Sequence, residues 1–144
     1  MNGTDKGLQF VDTNIFLYAY DSSSPEKREG AKKLISELWD SRQGVISTQV
    51  LQELYVNMTS KLPRPVESEQ AGQIITALGQ WKLHRPALED IEKAIRLEQK
   101  HHLSFWDAMI ISSALQMKCD ILWTEDLNSG QSVDGLVIQN PFGH

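Results

Sequence analysis

The chain is predicted to be an α/β protein with a central, mostly parallel sheet, and three observations predict it. Short apolar runs, LQFV at 8–11, VIS at 45–47, DILWT at 120–124 and LVIQNP at 136–141, alternate with longer stretches of helical periodicity. These runs are continuously apolar rather than alternating, as strands covered on both faces are. A chain of 144 residues buries about two-thirds of its unfolded surface, so a single domain over 1–144 is expected.

Taken in order, LQFV (8–11) is a short buried strand, and TNIFLYAYD (13–21) starts a helix that ends in the loop DSSSP. Pro25 suits the first turn of the next helix, with Ser24 as its cap, and Ala31, Leu34, Ile35 and Leu38 recur at helical spacing through it. After Gly44 the strand VIS leads into a helix over 48–62, whose apolar face carries Val50, Leu51, Leu54 and Met58. PRP (63–65) breaks the chain before a helix over 68–81, where Ile74, Ile75 and Leu78 form a stripe that suits the core or a protein contact equally. KLHRP (82–86) reads as a strand or a connector. The helix over 88–102 is expected to bury Leu88, Ile91, Ala94, Ile95 and Leu97, and the helix over 104–119 has Ser104 as its cap. DILWT is a strand, LNSGQSVDG (127–135) a loop, and LVIQNP the last strand.

Composition is ordinary for a globular protein, with 40% hydrophobic and 23% charged residues. No apolar stretch approaches the ~20 residues of a membrane span, and the N-terminus lacks a signal-peptide core, so no membrane association and a cytoplasmic location are expected. The lone Cys119 excludes an internal disulfide and sits among apolar neighbours as a core residue. A net charge of −5 argues against broad electrostatic binding to nucleic acid. It leaves room for an enzyme acting on nucleic acid, because a metal-binding carboxylate cluster itself lowers the count. There is no G-x-G-x-x-G, no Walker loop, no H-E-x-x-H and no cysteine–histidine cluster.

Four carboxylates fall where parallel sheets place ligands, at the carboxyl ends of strands. Asp12 follows LQFV, Asp126 follows ILWT, Glu53 lies early in the helix after VIS, and Asp107 lies in the first turn of the helix before ILWT. Each has a plain structural reading. Asp12 suits a helix cap, Asp126 a turn, and Glu53 a solvated face shared with Gln49 and Asn57. Asp107 falls on one stripe with Ile110, Ile111 and Ala114, counting about 100° per residue. A carboxylate there needs compensation, and Ser104-x-x-Asp107 offers it as a variant capping box. Gathered together, the four would repel one another unless cations held them, and oxygen-only ligation selects hard ions such as Mg²⁺ or Mn²⁺. Such ions suit hydrolysis of a phosphodiester.

The segments FVDTNIFLYAYD, STQVLQELYVN, LSFWDAMIISSAL and ILWTEDL, in this order, resemble the PIN-domain nucleases. The likeness is nearest to the VapC-type toxins of toxin–antitoxin pairs and extends from Leu8 to Phe142. It implies a three-layer α/β/α fold, Mg²⁺- or Mn²⁺-dependent endoribonuclease activity, and products with a 5′-phosphate and a 3′-hydroxyl. Carried over by motif, Asp12, Glu53, Asp107 and Asp126 are the catalytic and metal-binding set. Asn14 and Thr124 match polar positions that support the first and fourth acids. Glu125 competes with Asp126 for the fourth place, and the T-x-D spacing favours Asp126. The likeness also implies a homodimer, an RNA substrate and a small antitoxin that puts a basic side chain into the acidic cleft.

Competing readings are a phosphotransfer site on Asp12, a non-catalytic binding module, and a PIN nuclease of RNA processing or structured DNA. The first would want an aspartate where Asn14 stands. His101 and His102 suit a helix end. Phe105 and Trp106 are read as core or interface before base stacking, and Lys61, Arg64 and Arg85 as solvated before phosphate-binding.

Overall fold

The computed structural model describes residues 6–142; residues 1–5, part of the N-terminus read above for a signal peptide, lie outside it. The elements are β1 (Gln9–Val11), α1 (Thr13–Tyr18), α2 (Pro25–Ser41), β2 (Gly44–Ser47), α3 (Thr48–Ser60), α4 (Ser68–Leu78), β3 (Lys82–His84), α5 (Leu88–His101), α6 (Phe105–Gln116), β4 (Ile121–Trp123), β5 (Ser132–Val133) and β6 (Leu136–Gln139). The strands form one sheet in the order β3-β2-β1-β4-β6-β5. Every pairing is parallel except β5 with β6.

From β1 the chain steps outward to β2 and β3, then crosses back to lay β4 against the other side of β1. Right-handed crossovers place the helices of these two excursions on opposite faces. Consistent with that, α1 to α4 pack among themselves and α5 packs on α6. The sheet is thus flanked by helices on both sides, the expected α/β arrangement. Phe10, Ile46, Leu54, Ile111 and Leu122 are wholly buried between the layers. The register pairs Val11 with Trp123, so the residues just beyond, Asp12 and Thr124, emerge side by side where strand order reverses. No helix among the described residues is long and apolar enough to cross a membrane.

KLHRP resolves as a strand, β3, paired with β2. Gly44 belongs to β2 rather than to the connection before it, and a Cβ there would lie 2.5 Å from the Trp81 ring. Cys119 is buried, and burial pushes its thiol up to about 12.

Four sequence expectations are corrected. Ser24 holds the N-cap position of α2 and its carbonyl accepts from the Arg28 amide at 2.9 Å, but its side chain makes no capping bond. The loop 127–135 contains β5 and a two-residue hairpin turn, because Asp134 and Gly135 both adopt positive φ, 50° and 90°, the geometry that matches strand twist.

α5 is rotated from the expected face: Asp90, Ala94 and Leu97 are buried, while Leu88, Ile91 and Ile95 are exposed. The cause is polar. The Asp90 carboxylate accepts from the Ala87 amide at 2.8 Å and faces His84 Nε2 at 3.2 Å, while Ser112 Oγ donates to the Asp90 carbonyl at 2.8 Å. These bonds turn Asp90 inward and set the small Ala94 against α6. Finally, α6 has no single apolar stripe. It is buried all round from Ala108 to Ala114, leaving Asp107 partly exposed at its mouth.

Candidate active site

Asp12 stands between β1 and α1, and its backbone amide bonds to the Trp123 carbonyl at 3.0 Å. One carboxylate oxygen accepts from the Thr13 amide at 2.7 Å, and the other from Thr124 Oγ1 at 2.9 Å. The capping reading is therefore correct and incomplete, because the same side chain faces a cleft.

Glu53 lies one turn and a half into α3, and its Oε1 accepts from Thr13 Oγ1 at 3.0 Å. Asp107 donates its amide to the Ser104 hydroxyl at 3.1 Å, and its carboxylate does not accept from the Ser104 amide in return, so the capping box is incomplete. Asp126 follows β4; its amide donates to Thr124 Oγ1 at 3.1 Å, and Asn14 Nδ2 reaches its two oxygens at 3.3 and 3.5 Å.

All four carboxylates, with Thr13, Asn14, Gln49, Asn57 and Trp106, line one open cleft of about 100 Å³. A neighbouring hollow shares Glu53 and Asn57 with it and runs along α3 to Lys61. A larger hollow of about 650 Å³ runs along α2, lined by Lys33 and Glu37 of that helix and by Lys6, Gln9, Gln43 and Trp123. Among the described residues Glu37 is the one carboxylate that lines it, beside Lys6 and Lys33, so it holds no acidic cluster.

The cleft is electrostatically unfinished. Burial, reinforced by the charges of Asp126 and Glu53, raises Asp12 from 3.8 to about 7 despite its two hydrogen bonds. Partial burial and the charges of Asp107 and Glu125 raise Asp126, against the bond from Asn14. Glu125 differs from its neighbour. It turns out of the cleft to Lys27 Nζ at 2.6 Å and Tyr18 Oη at 2.6 Å. Burial alone would raise its pKa, but these two bonds hold it below the usual range. Of the two candidates for the fourth acidic position, Asp126 is the one that lines the cleft.

Among the described residues, no three acidic, histidine or cysteine side chains converge closely enough to enclose an ion. The donors are nonetheless all oxygen, and Mg²⁺ takes one or two carboxylates directly and keeps its remaining waters. The cleft fits a hydrated hard cation rather than a closed protein cage.

Sequence reading passed over Thr13 and gave Gln49, Asn57 and Trp106 plain structural roles. A usable signal was the four-residue spacing of Gln49, Glu53 and Asn57, which predicts one helix face. For Trp106, base stacking ranked behind core or interface, because a position beside a buried helix start does not show which way the ring points. His101 and His102 end α5 and do not line the cleft.

The PIN domain family model matches residues 10–131. The chain belongs to the PIN domain family. The sequence has no match among curated proteins. Solved structures similar to this PIN domain include a toxin–antitoxin complex from Klebsiella pneumoniae, at 21% identity and TM-score 0.69 over 92% of this chain and 97% of that one. VapC20 of Mycobacterium tuberculosis, described as a sarcin–ricin loop cleaving toxin, matches at 18% identity and TM-score 0.60 over 79% and 86%. VapBC2 of Rickettsia felis, bound to a DNA fragment from its promoter, matches at 21% and 0.61 over 92% and 98%. At these identities the likeness establishes the shared fold. The recognition drawn from the four sequence motifs holds at the level of the PIN family.

Proposed function

We propose that this PIN domain is a divalent-metal-dependent endoribonuclease, one domain acting in the cytoplasm as the toxin of a toxin–antitoxin pair. The observation that carries this reading is the cleft itself. Carboxylates from four separate segments line it, and among the described residues no lysine, arginine or histidine does. Such a site lacks a cation.

In this reading Asp12, Glu53 and Asp107 hold Mg²⁺ or Mn²⁺, and Asp126 binds a second ion or orients water. The bound ion offsets charge on the phosphate oxygens and lowers the pKa of the attacking water. Thr13 and Thr124 fix the carboxylates of Glu53 and Asp12, and Asn14 orients Asp126. The toxin role is supported by the fold shared with toxin–antitoxin structures. A cleft without its own cation also suits a basic side chain of an antitoxin. The exposed stripe of Leu88, Ile91 and Ile95 supports an assembled state, as a homodimer or with that antitoxin.

The test is cleavage of labelled single-stranded RNA and of a structured DNA by purified protein, with Mn²⁺, with EDTA, and with Asp12→Asn. Metal-dependent RNA cleavage lost in the variant is the expected result. Cleavage of the DNA alone would move the reading to a structured-DNA nuclease. Equal cleavage by both proteins would reveal a contaminant. If neither cleaves and calorimetry shows Mn²⁺ binding only to wild type, the site stands and the substrate class is wrong. If neither cleaves nor binds metal, the chain is a binding module.

A further inference from the structure

Two side chains in the cleft are not accounted for by metal chemistry. Trp106 is 61% exposed at the rim, beside Asp107. Its neighbour Phe105 is half-buried against the core and meets it edge-on, with centroids 5.1 Å apart. That contact occupies at most one face of the indole. A tryptophan left this exposed forgoes much of the burial that usually stabilises aromatic side chains.

Gln49 is the opposite case. It is 9% exposed, lines the same cleft, and its Oε1 has no hydrogen-bond partner among the described residues. The orientation of its amide is set by its neighbours. Nε2 lies 3.5 Å from both Glu53 Oε1 and the Trp106 carbonyl oxygen, and both are acceptors. Rotating the amide would set oxygen against oxygen twice. These contacts favour the nitrogen facing the protein, which leaves Oε1 as a buried acceptor wanting a donor, a costly state unless a ligand or water completes it.

We infer that Trp106 and Gln49 form a nucleoside-binding subsite beside the carboxylates, an inference that rests on the nuclease reading. The indole stacks on one base of a single-stranded nucleic acid, and Gln49 Oε1 accepts a hydrogen bond from the same strand. Stacking suits a strand with unpaired bases, because every base has a π-face. The donor to Gln49 is a ribose 2′-hydroxyl or a nucleobase amine; DNA lacks the first. Gln49 also ties the subsite to the metal cleft, since one nitrogen touches the backbone of Trp106 and the carboxylate of Glu53.

The experiment uses the full chain and fluorescein-labelled, random-sequence single-stranded RNA and DNA of equal length. Binding is read by anisotropy with Ca²⁺ in place of Mn²⁺, and KM and kcat with Mn²⁺. Trp106→Ala should weaken RNA binding about tenfold or more and raise KM rather than lower kcat, and Trp106→Phe should stay within about threefold of wild type. Gln49→Leu should weaken RNA binding. If only the RNA loses affinity, the donor is the 2′-hydroxyl; equal losses on RNA and DNA place it on the base.

Wild-type affinity and KM in Trp106→Ala or Gln49→Leu would overturn the subsite while leaving the nuclease intact. A melting temperature that falls in step with affinity, with no rescue by phenylalanine, would assign a structural role and overturn it too. So would unchanged RNA binding with an altered oligomeric state, which would make the ring a protein contact. If wild type neither binds nor cleaves RNA, the nuclease reading and the subsite fall together.

Discussion

Glu125 and Asp12 emerge from adjoining strand ends and meet opposite surroundings. Glu125 is answered from within the chain: Lys27 and Tyr18 reach it from α2 and α1, the lysine also lies over the Tyr18 and Phe142 rings, and its pKa is depressed. Asp12 is more deeply buried and receives only neutral donors, with two further carboxylates nearby, and its pKa is raised. Similar chemical groups a short distance apart thus serve differently. A carboxylate with its own cation is a structural tie that holds the segment leading to Asp126. A buried carboxylate without one is held at a cost that an external cation can offset. Proteins carry such cost at functional sites, where stability and activity oppose each other.

The largest effect expected from this contrast is on catalysis. Asp12→Asn should lower metal-dependent cleavage by about 100-fold or more, at least ~2.7 kcal/mol of transition-state stabilisation. Glu125→Gln should keep most activity; an equal loss in both would break the comparison.

The second effect has the opposite sign. Without metal, Asp12 must lose its proton in the fold at a pKa of about 7 rather than 3.8. The folded state then binds more protons than the unfolded one between these values, so wild-type stability falls as pH rises through that window. Asp12→Asn escapes the cost. In EDTA it should be more stable than wild type at pH 8, by about 2–4 kcal/mol, and near wild type at pH 4. Urea titrations at the two values measure this. A variant destabilised at pH 8 would show that the carboxylate is needed for the fold.

Third, Mn²⁺ should stabilise wild type by about 2.7 kcal/mol at 100 times its Kd, read as a rise in Tm. Asp12→Asn should show little of it. A shift of the same size in both would place the ion elsewhere.

The smallest effect belongs to the answered carboxylate. The Lys27 and Glu125 side chains are 40% and 20% exposed, so solvent screens the pair, and Lys27→Met should cost about 0.5–1 kcal/mol. The depressed pKa of Glu125 gives stability that is present above its unfolded pKa and lost as pH falls. The cost of Lys27→Met should therefore shrink in acid, as the gain from Asp12→Asn does, with the two substitutions acting in opposite directions on stability. A cost unchanged by acid would mean that the lysine acts by packing on Tyr18 and Phe142 alone.

Much of the candidate site was legible because its members follow strands or open helices, and those boundaries are written locally. Apolar runs marked β1 and β4, so Asp12 and Asp126 could be placed at their ends; Ser104 marked the start of α6 and hence Asp107. Glu53 was placed near the same sheet edge by the strand before its helix, but only the motif resemblance favoured a ligand, since one helix face alone does not distinguish a ligand from a solvated side chain. Trp106 was legible only as one of two aromatics that could serve core, interface or stacking, because an aromatic beside a buried helix start reads alike whichever way it points. The outward face of α5 was misread for a related reason. Periodicity counted Leu88, Ile91 and Ile95 as the buried side, whereas a polar cluster built from His84, Asp90 and Ser112 set the rotation.

By itself, the sequence determined the helices and the strands β1, β2, β4 and β6, that the sheet is largely parallel, and which acids stand at its edge. These follow from contiguous signals such as apolar runs, caps and breakers; β3 stayed open and β5 was taken for loop. Only the tertiary structure decided which way each helix is turned, that Gln49 and Trp106 share the cleft, and which carboxylates receive a cation. Lys27 and Glu125 lie 98 residues apart, and Asp12 and Thr124 lie 112 apart. Burial and charge act through space, so the environment of a side chain exists only once the chain has brought distant partners to it.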